Sequence, residues 1–186
     1  MKNICIGLFE GEALPESLAA FKNVKLDLEF GKITTIHTLN QLDCEKIVVV
    51  GLGDGKKNIK EAFSKVEADD YLVYVNENTA YAAGFGLVYG AYSYKETKVY
   101  DLESDGYTAE FEKGKTVASI VNHARELSDM PANFLTPDHL VDEAKMVSEK
   151  YGMEIEILNQ EDLEELGAGA LLAVNQGSDR PCFMVV

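Results

Sequence analysis

The sequence predicts an α/β protein with a mixed, largely parallel sheet flanked by helices. Residues 3–9, 46–51 and 70–75 are short, nearly continuous apolar runs, which are typical of strands covered on both faces. Between the last two runs, residues 56–66 carry apolar side chains at helical spacing. Strand, helix and strand in this order predict a right-handed parallel crossover, which is the signature of the α/β class.

An alternating segment adds an antiparallel part to the predicted sheet. Residues 24–30 place apolar side chains at every second position, which predicts a strand with one face in water. Gly31 and Lys32 separate this segment from residues 33–39, which we expect to be its hairpin partner.

Residues 79–94 predict a buried helix. The segment from residue 78 is uncharged and reaches the lower length limit for a membrane span, but its four tyrosines and three glycines favour a helix inside a globular protein. Ala82, Gly86 and Gly90 form a stripe of small residues four positions apart, which we expect to pack closely on the sheet.

The character of the sequence changes after a polar stretch at residues 95–115, which we expect to form surface strands or loops. A helical stripe follows and ends before Pro131. Thr136 and Pro137 are suited to begin the next helix, and Gly152 to end it. Beyond it, the patterns predict strands at 153–158, 170–174 and 182–186 and a short helix at 160–166.

Composition excludes several classes of partner. The 186 residues contain 17 Lys+Arg and 32 Asp+Glu, a net charge of -15, which disfavours binding to nucleic acid or to anionic membranes. Cys5, Cys44 and Cys182 are far apart and predict reduced thiols rather than disulfides or a zinc site. No secretory signal opens the sequence, so we expect a cytoplasmic protein.

No catalytic, cofactor-binding or metal-binding residue is predicted from the residue patterns. The glycines at 51–55 follow a strand, where phosphates bind in α/β folds, but Lys56 and Lys57 break both phosphate-loop signatures, which favours a structural turn. His37, His123 and His139 are scattered and form no metal motif.

Two longer motifs carry a family resemblance. Residues 124–137 (ARELSDMPANFLTP) and 165–178 (ELGAGALLAVNQGS) resemble, in order and spacing, the domain junction and following segment of the leucyl aminopeptidase (cytosol aminopeptidase) family. Weaker similarity covers residues 32–39, 48–53 and 86–94, so that the resemblance extends over essentially the whole chain.

This resemblance implies a non-catalytic, macro-domain-like N-terminal domain at 1–114, a linker helix at 115–130 and the beginning of a catalytic peptidase domain at 131–186. The family removes N-terminal amino acids from peptides with two divalent metals, Mn or Zn. Its catalytic motifs (VGKG-x-x-[FY]-D-[ST]-G-G and N-T-D-A-E-G-R) do not occur in these residues. The resemblance therefore implies no cofactor in this chain, an inactive chain by itself and a reading frame that continues past Val186.

The resemblance also implies a homo-oligomer, which is a hexamer in the family. It implies that peptide substrates bind only to the missing catalytic domain. Two other roles stay open. The macro-like fold can be a binding module for ADP-ribose or a related nucleotide, with residues 51–55 holding the diphosphate. The N-terminal domain can instead have a purely structural role in building the oligomer.

Overall fold

A computed structural model of the chain describes residues 2–94 and 100–186, which form two compact units, Met1–Glu126 and Leu127–Val186. The described strands of the first unit are β1 (Asn3–Leu8), β2 (Ile33–His37), β3 (Lys46–Gly51), β4 (Tyr71–Tyr74) and β5 (Leu102–Asp105). Its helices are a 3-10 helix (Glu16–Phe21), α1 (Ile59–Phe63), α2 (Ala80–Gly90) and α3 (Thr108–Asp129), the last of which ends in the second unit. The second unit continues with α4 (Pro137–Tyr151), β6 (Ile157–Leu158), α5 (Gln160–Glu165), α6 (Gly169–Asn175) and β7 (Met184–Val185).

The predicted mixed, largely parallel sheet is confirmed. Its strand order is β2-β3-β1-β4-β5. All neighbouring pairs are parallel except β2 and β3, which are antiparallel. The crossover from β3 through α1 leads to a parallel strand, but β1 lies between β3 and β4. The most apolar strands therefore occupy the centre, where both faces are covered.

Each face of the sheet has its own hydrophobic core, because side chains alternate along the strands. One core joins sheet residues to the 3-10 helix: Ile4, Ile6, Leu8, Ile47 and Val49 with Leu18 and Phe21. The other joins them to the helices: Cys5, Val48, Val50 and Val73 with Ala62, Phe63, Ala80, Ala83, Leu87 and Phe111.

The strand predicted at residues 24–30 is wrong. β2 pairs with β3 in register from Ile33 opposite Val50 to His37 opposite Lys46 and is an edge strand of the sheet. The earlier segment does not pair with the outer edge of β2, and Gly53 N in the turn after β3 donates to its Leu28 O at 3.0 Å. Side chains satisfy part of its backbone instead, because Asp27 N donates to Thr34 Oγ1. The alternating leucines still face the core, where Leu26 and Leu28 pack against the 3-10 helix side.

The helix predicted at 79–94 is confirmed in its centre as α2, but its stripe of small residues packs on α1 rather than on the sheet. A Cβ on Gly86 would overlap Lys60 O and Phe63 Cβ, and one on Gly90 would overlap Ser64 O. The glycines therefore allow the two helix backbones to approach each other closely.

Helix α3 begins at Thr108, seven residues before the predicted linker helix. Phe111 and Ala118 are fully buried on its inner face, and Gly114 lies between them. The first part of α3 falls in the polar stretch at 95–115, for which surface strands or loops were predicted because of its composition. Residues 95–99 of that stretch lie outside the described residues. The predicted boundary at 114 falls inside α3, whereas the compact units divide at 126/127. The assignment of 1–114, 115–130 and 131–186 to three domains stays a prediction.

In the second unit, the predicted caps of α4 are confirmed. Thr136 Oγ1 accepts a hydrogen bond from His139 N at 3.3 Å, and Gly152 ends the helix at φ 64°. The short helix predicted at 160–166 is α5, whose capping box joins Asn159 and Asp162. The predicted strand at 170–174 is wrong: this Ala/Leu-rich run forms α6, since such residues are good helix formers. The strands predicted at 153–158 and 182–186 are reduced to the two-residue pair β6 and β7.

The second unit buries few of its apolar side chains. Val141, Leu163 and Cys182 are its buried hydrophobic residues in the described chain. Many others are exposed: Phe134, Leu140, Met146, Tyr151, Met153, Leu166, Leu171, Val174, Met184, Val185 and Val186. None of the described helices, in either unit, has the length and apolarity needed to cross a membrane.

Candidate functional site

The glycine loop after β3 is a structural turn in which several backbone donors are engaged. Gly51 N donates to Lys32 O at 2.8 Å, and Gly53 N donates to Leu28 O at 3.0 Å. Lys56 Nζ lies 2.6 Å from Asp54 Oδ2, and this hydrogen bond lowers the pKa of the Asp54 carboxyl. Neither these amides nor the lysine is presented to a phosphate, and α1 has only five residues.

Histidines, carboxylates and thiols do not converge into a metal site in the part of the chain that the structure describes. His139 lies on α4, 3.6 Å from Glu143 Oε1, whereas His37 is at the end of β2. All three cysteines are free. Burial raises the pKa of the Cys5 thiol to about 12, which keeps this group protonated and inert.

A crevice opens where β1 and β4 separate. The ladder between them ends at Ile6 and Tyr74, while the β1–β3 ladder continues to Leu8. Beyond β4 the chain turns away, because Asn76 N donates to Thr79 Oγ1 at 2.9 Å. The sheet therefore has a gap at the carboxyl ends of two neighbouring parallel strands.

The connections that leave β1 and β4 pass to opposite faces of the sheet. The chain after β1 forms the 3-10 helix on one face, and the chain after β4 forms α2 on the other. Such a switch of direction is the general position of ligand sites in open α/β sheets. The sequence did not predict this crevice, because its position depends on the strand order.

The crevice has a volume of about 340 Å³ and mixed walls. Its apolar side chains include Leu8, Ala13, Pro15 and Val75, and its polar side chains are Glu12, Asn76 and Thr79. Glu12 is exposed and its Oε2 accepts a hydrogen bond from Phe9 N at 2.8 Å. Among the described lining residues Glu12 alone is charged.

A second polar arrangement closes the carboxyl end of α2. Arg125 lies against two rings, with its guanidinium carbon 4.4 Å from the Tyr89 centroid and 4.2 Å from that of Tyr92. Its Nη1 donates to Tyr89 O at 3.1 Å and to Asn122 Oδ1 at 3.0 Å. Asn122 Nδ2 in turn donates to Val88 O at 2.8 Å.

This arrangement is a helix cap contributed by α3. The last carbonyls of a helix lack intrahelical donors, and a cation at this end is favourable to the helix dipole. Sequence reasoning missed the cap, although Arg125 lies in the motif at 124–137 that carried the resemblance. The sequence signal that could have predicted the cap is the pair Asn122 and Arg125, which lie one turn apart on the helix that follows the tyrosine-rich α2.

Comparison with known proteins decides the family. Residues 122–186 match the profile described as cytosol aminopeptidase family, catalytic domain. A probable cytosol aminopeptidase of Exiguobacterium sibiricum is 36% identical over 179 residues, which cover 84% of this chain. Residues 122–186 belong to the cytosol aminopeptidase family.

The chain spans about two fifths of the length of its curated relatives. It covers 37% of the Exiguobacterium protein and 39% of a probable cytosol aminopeptidase of Alkaliphilus metalliredigens, to which it is 29% identical over 195 residues. The second relative is matched over 85% of the present chain.

Solved structures share the fold over nearly the whole chain. The bottromycin maturation enzyme BotP in complex with Mn has a TM-score of 0.79 at 20% identity and covers 99% of this chain, which in turn covers 44% of BotP. The cytosol aminopeptidase of Coxiella burnetii has a TM-score of 0.72 at 19% identity. This match covers 99% of the present chain and 43% of the Coxiella chain. These likenesses confirm the predicted fold.

Proposed function

We propose that the protein is a metal-dependent aminopeptidase that removes N-terminal amino acids from peptides. Residues 1–186 are proposed to be its N-terminal, non-catalytic portion, which includes the beginning of the catalytic domain but none of its catalytic residues. The match of residues 122–186 to the catalytic domain of the family carries this proposal. The family's peptidase activity supports the reaction class, and the Mn complex of BotP supports the use of a divalent metal.

The role proposed for the described chain is that of a scaffold in a cytoplasmic homo-oligomer. Its sheet has two buried faces, and its helices are joined by close glycine contacts, as a rigid support requires. Peptide substrates are expected to reach the enzyme through its catalytic domain.

The two metals implied by the family, Mn or Zn, do not fit the residues present. A two-metal site needs several carboxylates and other donors that converge. The described residues bring no three His, Cys, Asp or Glu side chains together. The proposal therefore assigns no metal ligand and no catalytic step to this chain.

Binding of ADP-ribose by the loop at 51–55 is the alternative function. The engaged amides of Gly51 and Gly53 and the pairing of Lys56 with Asp54 argue against this diphosphate cradle. A thermal-shift titration with ADP-ribose tests it directly.

The proposed activity is tested by comparing the 186-residue chain with a chain extended along its reading frame to the length of the relatives. Both are assayed on leucine p-nitroanilide with added Mn²⁺ or Zn²⁺. We expect turnover by the extended chain, abolished by a chelator, and none by the 186 residues. If the 186-residue chain still hydrolyses the substrate after repeated purification, its proposed non-catalytic role is wrong. If the extended chain is inactive, the proposed reaction is wrong.

A further inference from the structure

We propose that the crevice between β1 and β4 binds the α-ammonium end of a small apolar compound, either a free amino acid or the N-terminus of a peptide. Glu12 is the proposed partner of the ammonium group. This site lies in the first unit, outside the residues that match the catalytic domain.

The position of the crevice follows from the ladders of the sheet. β1 and β4 are hydrogen-bonded up to Ile6 and Tyr74 and then diverge, and the connections that follow them lie on opposite faces. The resulting gap lies between two loops that are anchored on central strands, which is a rigid setting for a ligand.

The charge of the crevice selects a cation. Glu12 is the charged side chain among the described lining residues, and the whole chain has a net charge of -15, so an anion such as a nucleotide is disfavoured. A carboxylate that accepts one hydrogen bond retains acceptor positions for an ammonium group.

Glu12 is held in place before a ligand arrives. Phe9 N donates to Glu12 Oε2 at 2.8 Å, and Glu12 N donates back to Phe9 O at 3.0 Å. This reciprocal pair fixes the carboxylate on the loop after β1, which lowers the entropy that binding must overcome.

The walls select an apolar body of modest size. Leu8, Ala13, Pro15 and Val75 line a volume of about 340 Å³, which is at the lower end of the range for small-molecule sites. An amino acid with an aliphatic side chain fits both this size and this polarity. Leucine is therefore a suitable probe.

The test is an NMR titration of the 186-residue chain with L-leucine, the tripeptide Leu-Gly-Gly and N-acetyl-L-leucine. We expect saturable shifts of the amides of Gly7, Glu12 and Asn76 with leucine, with the tripeptide or with both. N-acetyl-leucine lacks the ammonium group and is expected to cause none. Shifts with leucine alone identify a free amino acid as the ligand, and shifts with the tripeptide alone identify a peptide N-terminus.

Two variants and a matched control test the role of Glu12. We expect E12Q to raise the Kd at least about fivefold, since it removes the charge and keeps the acceptor for Phe9 N, and E12K to abolish binding. E16Q changes an exposed acid on the 3-10 helix that does not line the crevice, and its Kd should equal that of the parent chain. Absence of saturable shifts, equal response to N-acetyl-leucine, or an unchanged Kd in E12Q would overturn the inference. Because no readout depends on turnover, these outcomes are separate from failure of the proposed activity.

Discussion

Gly84 of α2 and Gly114 of α3 lie where each helix meets the backbone of the other. A Cβ on Gly84 would overlap Phe111 O, and one on Gly114 would overlap Tyr81 O. With Gly86 and Gly90 against α1, α2 is held between two helices at backbone contact. This packing is possible only for residues without a side chain.

We therefore expect Gly84→Ala to lower the free energy of unfolding by about 2–3 kcal/mol, because the new methyl group must displace helix backbone rather than a flexible side chain. Urea unfolding followed by circular dichroism measures the change. Gly169→Ala is the control: it lies in α6 with no atom within 4 Å of a new Cβ, and it should leave stability unchanged or raise it slightly. Equal stability of Gly84→Ala and the parent chain would contradict the proposed backbone contact.

Removal of the α2 cap should also destabilise the first unit. Arg125→Ala loses two hydrogen bonds and two ring contacts and leaves the carbonyl of Tyr89 without its charged donor, so we expect a loss of about 1–3 kcal/mol. Arg125→Lys should recover part of this loss, since it retains the charge but not the planar fork. Lys113→Ala, at an exposed position of the same helix, should change the unfolding midpoint little. A similar effect at both positions would show that the cap does not matter.

A partly buried polar network at the amino ends of the strands predicts a pH dependence. Asn3 Nδ2 donates to Asp69 Oδ2 at 2.9 Å, and Lys46 Nζ lies 2.8 Å from the same oxygen. The hydrogen bond from Lys46 is the main cause that holds the pKa of Asp69 below its ordinary value of 3.8.

Because the folded-state pKa is lowered, the stabilisation by Asp69 is complete above its ordinary pKa and is lost as the pH falls through the folded value. The difference in unfolding free energy between the parent chain and Asp69→Asn should therefore shrink from pH 6 to pH 3. Lys46→Met should flatten the same part of the pH profile, since it removes the cation. A constant difference between the parent chain and Asp69→Asn across this range would contradict the assignment.

The exposed apolar side chains of the second unit predict weak protection from hydrogen exchange. Segments with few buried contacts open at low free energy. In the 186-residue chain, we expect the amides of residues 131–186 to exchange faster than those of β1, β3 and β4. Sedimentation of the same sample establishes that it is monomeric, because self-association can cover apolar surface. Uniform strong protection in a monomer would be the opposite result.

Local patterns were sufficient for the central strands and for several helix ends. The apolar runs at β1, β3 and β4 predicted both the strands and their burial, because alternation and continuity are visible within a few residues. Thr136 and Gly152 likewise predicted the ends of α4, since capping depends on side-chain and backbone chemistry next to the helix end. The motifs at 124–137 and 165–178 were sufficient for the family.

Only the tertiary structure decided which edges and surfaces these elements share. Residues 24–30 have the alternation of a strand, but Leu28 O accepts from Gly53 N in the turn after β3, and the segment does not pair with the outer edge of β2. This contact lies outside the local sequence. The buried residues of α3 are Phe111, Gly114, Ala118 and Asn122. Phe111 is the one large apolar side chain among them, so the face gives a weak apolar signal, and the fit of Gly114 depends on the backbone of α2. The crevice beside Glu12 exists because β1 and β4 are neighbours with diverging connections, and the order of strands in a sheet is a property of the whole chain.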